Sequence, residues 1–442
     1  MGQVIAQLNH IVPEIYCDRF KPMFQECVRI PKSKVIESLN NKFGDYNKIF
    51  SKFSFDPIGT ASLAQVHKAV LKETGEIVAV KIQHPRLSYE SRGDLALIKK
   101  ATQIASYLFP DFQYKFLSEQ FELNLPKELD FTQEAENCNK FRRLFKNYKY
   151  VVAPKIYDKY CSSKLLVMSF EEGGSIEDPK YLKENNISPK EISKLMSLCF
   201  NKQIFKFGFV HADPHSGNIR VRKLKNNRIQ LILLDHGLYR EIDDEFRYYY
   251  SNFWRGVLNQ NQKLIEDSCK NLNISHYHLF TSMILNKKYD DVMTTNKKYS
   301  DTRFQLANNK KDKDELRKHV QDYHKDMTII LNNVRQEMLL LMKVNEYLRA
   351  IDRSLGIPMN NFFTMMNSIY KNLPENPVFK LQNESKLVLN LEYYKNYFFM
   401  TLYNMFLILK IFVNDTFYKN KISTHNDKIK EFEVFSDLNN KI

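Results

Sequence analysis

Two segments hold most of the chain's candidate chemistry: His211-Ala212-Asp213-Pro214-His215-Ser216-Gly217-Asn218 and Leu233-Leu234-Asp235-His236-Gly237. Asp213 stands five residues before Asn218, and Asp235 follows after two short apolar runs. Two carboxylates and one amide oxygen form the hard-oxygen set that Mg²⁺ prefers beside substrate phosphates, and Mn²⁺ accepts the same donors. A third element is Lys81, which ends the apolar run Val78-Ala79-Val80. Burying its ammonium is costly unless an anion pairs with it. Either phosphate and a carboxylate supply that anion, or the lysine snorkels from an edge strand. The imidazoles offer a rival reading. His211, Asp213 and His215 alternate, and Asp235-His236 adds two more ligands, as in a metallohydrolase. That rival leaves Lys81 and Asn218 without a task.

The Asp213-to-Asn218 spacing is that of a protein-kinase catalytic loop, where the Asp orients the acceptor hydroxyl and the Asn holds a metal. Asp235-His236-Gly237 has the D-x-G form of the metal-binding Asp. His211 is then expected to brace the loop backbone. Upstream, Gly59-Thr60-Ala61-Ser62-Leu63-Ala64-Gln65-Val66 keeps the spacing of a phosphate-covering G-x-G-x-x-G-x-V loop, with Ala61 and Ala64 at two glycine places. The added methyl groups remove φ > 0 conformations and crowd a γ-phosphate. No strong preference for ATP over ADP is therefore expected, unless the alanines simply pack beneath the loop. A helix carboxylate for Lys81 could come from Glu128-Leu129-Asp130-Phe131-Thr132-Gln133-Glu134. Glu134 falls nearly opposite Asp130 on a helix and six residues past Glu128, so the three carboxylates cannot share one role. A solvated helix face is the plain alternative.

The chain of 442 residues is 43% hydrophobic, 13% aromatic and 26% charged, which excludes a disordered, collagen-like or membrane-dominated protein. Its net charge of +15 is spread along the sequence, mostly as Lys-Lys pairs among Asn residues. That pattern reads as a solvated surface, and no nucleic-acid partner is expected. Six cysteines are widely separated without a C-x-x-C, as reduced and mostly buried thiols would be. The longest uncharged apolar stretch, Tyr397 to Leu409, is too short for a membrane span of about twenty residues and contains Asn404. It reads as a buried or surface-lying helix. No secretory signal or Arg-rich presequence is expected, and Ala6 stands where a myristoylation site wants Ser or Thr.

Secondary structure must bring these residues together. Residues 1 to about 50 show helical apolar spacing, broken at Pro13, Pro22 and Pro31. Strands are expected from Phe53 to Gln83, with a Thr74-Gly75 turn before Ile77 to Ile82. Residues 88–148 read as helix interrupted at Pro110 and Pro126, then short strands follow near Val151-Val152 and from Lys164 to Phe170. An amphipathic helix over 189–207 starts with Pro189 and is stopped by Gly208. Ile219 to Val221 and Ile229 to Leu234 read as strands, and everything after 240 as helical or linking. Residues 286–325, rich in Lys, Asn and Asp, read as a mobile insertion, and a long helix is expected from about Met327 to Leu355.

Taken together, these residues resemble the aarF-domain, or UbiB-like, atypical kinases, and look most similar to the mitochondrial branch whose metal motif reads D-H-G-L-Y. The likeness is carried by GTASLAQVHKA (Gly59 to Ala69), VAVKIQHP (Val78 to Pro85), LPKELDFTQE (Leu125 to Glu134), GFVHADPHSGNI (Gly208 to Ile219) and LLDHGLY (Leu233 to Tyr239), and more weakly by Asn345 to Gly356. It implies an α+β, two-lobed protein-kinase-like fold with extra N-terminal helices over 1–50. A kinase-like N-lobe with inserted helices would cover 51–170, and a largely helical C-lobe 171–442.

The same resemblance implies ATP or ADP bound with Mg²⁺ at Gly59, Thr60, Ala61, Ser62, Ala64, Val66, Lys81, Met168 and Phe170. By it Lys81 pairs with Glu134, Asp213 is the catalytic carboxylate, and Asn218 and Asp235 hold the metal. Glu128 and Asp130 match the family's regulatory E-x-D motif, and Gly2-Gln3 match the G-Q of its partner K-x-G-Q, whose lysine would precede Met1. Ser169 departs from the acidic residue usual at the hinge. Family members are associated with mitochondria or plastids and with coenzyme Q and lipid homeostasis. A lipid or isoprenoid acceptor, peripheral membrane contact and a mitochondrial location are implied accordingly. Two other readings stay open. One is a small-molecule phosphotransferase of the aminoglycoside or choline kinase type, whose loop resembles H-x-D-x-H-x-G-N. The other is a nucleotide-gated, non-catalytic scaffold.

Overall fold

This computed structural model describes residues 29–60, 63–85, scattered positions between 87 and 103, 129–285, 289–293, 330, 333–356 and 362–418. Gly2, Gln3, Ala61, Ser62, Glu128, Cys17, Cys27 and all of 286–325 except 289–293 lie outside the described residues. In chain order the elements begin with α1 (Lys32–Phe43), β1 (Phe50–Thr60), β2 (Ala64–Leu71), β3 (Ile77–Gln83), α2 (Phe131–Leu144), β4 (Val151–Val152) and β5 (Leu165–Ser169). They continue with β6 (Gly174–Ser175), α3 (Pro179–Glu184), α4 (Pro189–Lys202), β7 (Phe209–His211), β8 (Ile219–Lys223), β9 (Ile229–Leu233) and β10 (Tyr239–Glu241). Helices close the chain: α5 (Asp244–Asn259), α6 (Gln262–Asn271), α7 (Tyr277–Leu285), α8 (Tyr289–Met293), α9 (Gln336–Ser354), α10 (Phe362–Asn372), α11 (Pro377–Leu381) and α12 (Lys386–Tyr418). The class is α+β, as expected.

The first sheet has the antiparallel order β1-β2-β3-β5. Strand β3 explains how a lysine enters a hydrophobic run. Val78, Val80 and Ile82 are fully buried on one face, against Val35 and Leu39 of α1 and Val167 of β5. Ala79 and Lys81, one residue out of phase, must point to the other face. Pro57 is tolerated because β1 is the edge strand, and the β1–β2 register shifts on either side of it. Helix α1 starts after Pro31 and stops at Gly44, whose φ of 73° lets its N–H reach Asn40 O at 2.8 Å.

A second sheet has the order β4-β9-β8-β6, and β7 pairs with β10. The strands β7 and β10 were not anticipated, and the stretch after 240 was read as helical or linking from its start. Each is three residues long, too short to show alternation, and their pairing is non-local. Helix α4 ends in a widened π-type turn over 203–207 and a left-handed Gly208 with φ 62°. A Cβ at Gly208 would lie 2.5 Å from Ile242 O, so the stop expected at this glycine has a steric cause. Of the long helix expected from Met327, residues 327–329 lie outside the described residues, 330 and 333 are helical, and α9 proper runs from Gln336. Val334 is a bend, and Arg335 reaches Asp243 at 2.5 Å and lies over the Phe246 ring. Of the 286–325 segment, 289–293 form α8.

The chain divides into two compact units, Met1–Phe200 with Phe209–Glu241 and Gln336–Ile357, and Asn201–Gly208 with Ile242–Arg335 and Pro358–Ile442. The hairpins over 209–241, placed with a C-terminal lobe in the sequence reading, thus group with the first unit. In the second unit Tyr248, Leu258, Met366, Tyr370 and Phe379 form a buried cluster. Arg255 is buried beside it and neutralised by Glu384 at 2.9 Å and Glu392 at 3.0 Å. Among the described residues no helix is long and apolar enough to cross a membrane. The Tyr397–Leu409 stretch lies within α12, and Phe398 is 61% exposed. Cys138, Cys199 and Cys269 are buried free thiols and Cys161 is half-buried.

Candidate active site

Every described candidate carboxylate and amide of the sequence reading lies in the first unit. The opposite face of β3 carries Lys81 to helix α2, where Glu134 receives its ammonium through both oxygens at 2.7 and 2.8 Å. Asp235 Oδ2 accepts from the same nitrogen at 3.0 Å. Helix phase selects Glu134: it sits one turn into α2 and is 4% exposed, whereas Asp130 is the N-cap, accepting from Thr132 N at 3.0 Å. Burial opposes the charge on Lys81, yet Asp235 and Glu134 outweigh it and raise its pKa. Burial pushes Glu134 up to about 7, although Lys81 pulls the other way and Asp235 adds to the rise. Asp235 is held well below the usual carboxylate range: burial is overcome by Lys81 and by the Gly237 N–H, 2.8 Å from Oδ1.

The loop after β7 is built around His211. Its Nδ1 accepts from Asp213 N at 3.0 Å, so its Nε2 carries the hydrogen and donates to Asp235 O at 3.0 Å. One ring therefore ties Asp213 to Asp235, the bracing expected of this position. Asn218 closes the loop: its N–H donates to His215 O, and its carbonyl accepts from Leu234 N at 2.9 Å, next to Asp235. Asp213, 38% exposed at its side chain, meets two residues of α9. Tyr347 Oη donates to its Oδ1 at 2.5 Å and Lys343 Nζ lies 3.5 Å away. Burial works against the Asp213 charge, but Lys343, His215 and Tyr347 together hold its pKa low. Sequence reasoning missed both α9 residues. Their four-residue spacing puts them on one helix face, and the weak likeness over 345–356 covers Tyr347 but not Lys343.

The metallohydrolase alternative fails on two rings. His236 is 1% exposed, with Nδ1 bonded to Tyr239 Oη at 2.9 Å and Nε2 to Leu233 O at 3.0 Å. Together with His211 it has no nitrogen left for a metal. Among the described residues no group of three or more His, Cys, Asp or Glu side chains could hold one. Asn218 and Asp235 instead offer oxygens, and each Asp235 carboxylate oxygen keeps a second lone pair beyond its one described contact. That set fits Mg²⁺.

Neutral histidines have a consequence for acid stability. Burial lowers His236 from 6.5 to about 3. Between those values the unfolded chain binds a proton that the folded state refuses, so stability falls as pH drops through that window. The loss for His236 is up to about 1.4 kcal/mol per pH unit. Melting temperature measured from pH 7.5 to 4.5 should show that slope, and His236→Gln should flatten it. A variant with the wild-type slope would mean that another group carries the acid lability.

The phosphate-loop candidates sit on the β1–β2 hairpin, where Gly59 pairs with Val66 and Thr60 with Gln65. Ala64 is buried and faces Gln83 of β3. Gly59 has open space around it and no left-handed φ, so its own fold does not demand a glycine there. Gln65 and His67, from the same motif, play a different part. Gln65 Oε1 accepts from Ile30 N at 2.7 Å, its Nε2 donates to His67 Nε2, and His67 Nδ1 donates to Ser54 O. This buried chain ties the entry of α1 to β1 and β2. Met168 is buried on β5, opposite Ala79 of β3, and Phe170 N donates to Ile77 O at 3.2 Å. Ser169 Oγ donates to Glu171, which in turn holds Arg222 at 2.8 Å. An acidic group thus stands two residues past the hinge position that lacks one.

A lysine on the third strand of an antiparallel sheet, paired to a helix glutamate, with D-x-G and D-x4-N segments beneath it, defines a protein-kinase-like fold. A Mycobacterium tuberculosis protein, solved as its complex with erythromycin, shares that fold with a TM-score of 0.56 over 82% of this chain and 90% of its own, at 18% identity. Residues 22–269 match the ABC1 atypical kinase-like domain. AarF domain-containing kinase 1 of Drosophila melanogaster is 37% identical over 360 residues, 80% of this chain and 68% of that protein. AarF domain-containing protein kinase 1 of Gallus gallus is 34% identical over 358 residues, 80% of this chain and 67% of that protein. The chain belongs to the ABC1/AarF atypical kinase-like family.

Proposed function

We propose that the protein binds ATP or ADP with Mg²⁺ and acts as an atypical phosphotransferase, or as an ATPase where water is the acceptor. The observation that carries this reading is the charge triad of Lys81, Glu134 and Asp235, in which Glu134 is buried and Asp235 half-buried. Its ammonium is pre-positioned for anionic phosphate, with Glu134 fixing its direction and Asp235 its charge. In this reading Gly59 to Val66 covers the phosphates, Met168 and Phe170 border the base, and Asp213 orients the acceptor hydroxyl. Asn218 and Asp235 would hold Mg²⁺, which when bound supplies charge neutralisation on the phosphates. Gly2, Gln3, Glu128 and Asp130 form its regulatory element. An acceptor of lipid or isoprenoid type, peripheral membrane contact and a mitochondrial setting complete the reading and rest on the family resemblance.

Thermal denaturation with nucleotide, with and without divalent metal, tests it. ATP or ADP at about a hundred times Kd should stabilise the protein by about 2.7 kcal/mol. The gain should need Mg²⁺ or Mn²⁺ and vanish in Asp235→Ala. Equal stabilisation in EDTA, or an undiminished gain in Asp235→Ala, would reject the metal assignment. Metal-dependent binding without turnover would favour the scaffold reading.

A further inference from the structure

The contact between α9 and Asp213 is asymmetric. Tyr347 and Lys343 both approach Oδ1, while Oδ2 accepts no hydrogen bond among the described residues. Tyr347 is 9% exposed and holds its place, but Lys343 is 47% exposed on a flexible stem lying over the Tyr347 ring at 5.4 Å. The two charges differ in how far they are already committed. Lys81 is 12% exposed and shared between two carboxylates, so its charge is compensated before any ligand arrives. Between Asp213 and Asn218 the loop reads Pro214-His215-Ser216-Gly217 and contains no lysine or arginine. A phosphoryl group in flight spreads negative charge over three equatorial oxygens, and a cation beside them lowers the barrier.

We propose that Lys343 is a catalytic residue that supplies this cation from α9, and that Tyr347 is a positioning residue that keeps Asp213 Oδ2 turned to the acceptor. The inference rests on the nucleotide-binding reading above. In the step it serves, the acceptor oxygen bonds to the γ-phosphorus as the bond from that phosphorus to the β–γ bridging oxygen breaks. The electron pair leaves on the nucleoside diphosphate, and the acceptor proton passes to Asp213 Oδ2. Lys343 moves from Oδ1 to the transferring oxygens, a shift its exposure and stem length allow.

Aluminium fluoride added to Mg·ADP mimics the transferring phosphoryl group and gives a readout without turnover. Calorimetry should show aluminium fluoride tightening Mg·ADP binding to the wild type. That gain should fall about 10- to 100-fold in Lys343→Met, within the range one positioned charged donor supplies. Lys343→Arg should recover much of it, and the affinity for Mg·ADP alone should be unchanged in both. Tyr347→Phe should raise the acidic limb of the pH profile of this gain, because Asp213 loses a donor. An equal gain in Lys343→Met overturns the inference, as does a wild type whose Mg·ADP binding is insensitive to aluminium fluoride. A wild type that does not bind Mg·ADP overturns the nucleotide-site reading instead.

Discussion

Lys81→Met is expected to lower folding stability by about 3–5 kcal/mol and to abolish stabilisation by nucleotide. Methionine keeps an apolar stem of similar length, so little packing is lost, while the ammonium that lies 5.2 Å from the Phe131 ring centroid goes. What is lost is the charge between Glu134, which is 4% exposed, and Asp235, whose side chain is 34% exposed. Glu134 can soften the effect by taking a proton, because burial already raises it to about 7. The double variant Lys81→Met/Glu134→Gln should therefore regain more than half of the loss while still failing to bind nucleotide. Urea denaturation at pH 7.5, with and without Mg·ADP, measures both. A single variant within about 1 kcal/mol of wild type would show that the triad is not a tightly coupled charge cluster.

Asp213→Asn carries the second large effect, on turnover and not on binding. Losing the carboxylate removes the group that receives or orients the acceptor proton, an interaction worth about 10²–10⁴-fold in rate. Nucleotide affinity should change little, because the Lys81 triad is held by β3, α2 and the 235–237 segment. The fold should also survive, since the side chain is 38% exposed and asparagine can still accept from Tyr347. Steady-state phosphate release and calorimetry on the same preparation separate the two quantities. Equal loss of affinity and rate would place Asp213 in ground-state binding.

Much of this site was legible because its parts are local. A continuous apolar run interrupted by one lysine predicts a buried strand that contains it, and in that strand Val78, Val80 and Ile82 pack on the face opposite Lys81. The Asp213-to-Asn218 interval and Asp235-x-Gly237 are backbone motifs, closed by His215 O to Asn218 N and by the Gly237 N–H on Asp235. Such hydrogen bonds span a few residues, so spacing alone encodes them. Gly208 as a helix stop was legible for the same reason.

Other features depend on which residues meet across long stretches of chain, and no local pattern encodes that. Glu128, Asp130 and Glu134 were equivalent as letters; the phase of α2 against β3 chose Glu134 and left Asp130 as an N-cap. The histidines left a rival metal-ligand reading open until the fold placed a carbonyl or hydroxyl on each ring nitrogen of His236 and a backbone group on each of His211. The strands β7 and β10 exist only because they pair with each other, and Gln65 bonds to Ile30 from a motif that had looked like part of the phosphate loop. Lys343 and Tyr347 reach Asp213 from a helix far along the chain. Sequence by itself determined the chemical groups and the strand that carries the lysine. Tertiary structure decided their partners, because a buried charge takes whichever counter-charge the packing brings within hydrogen-bonding distance.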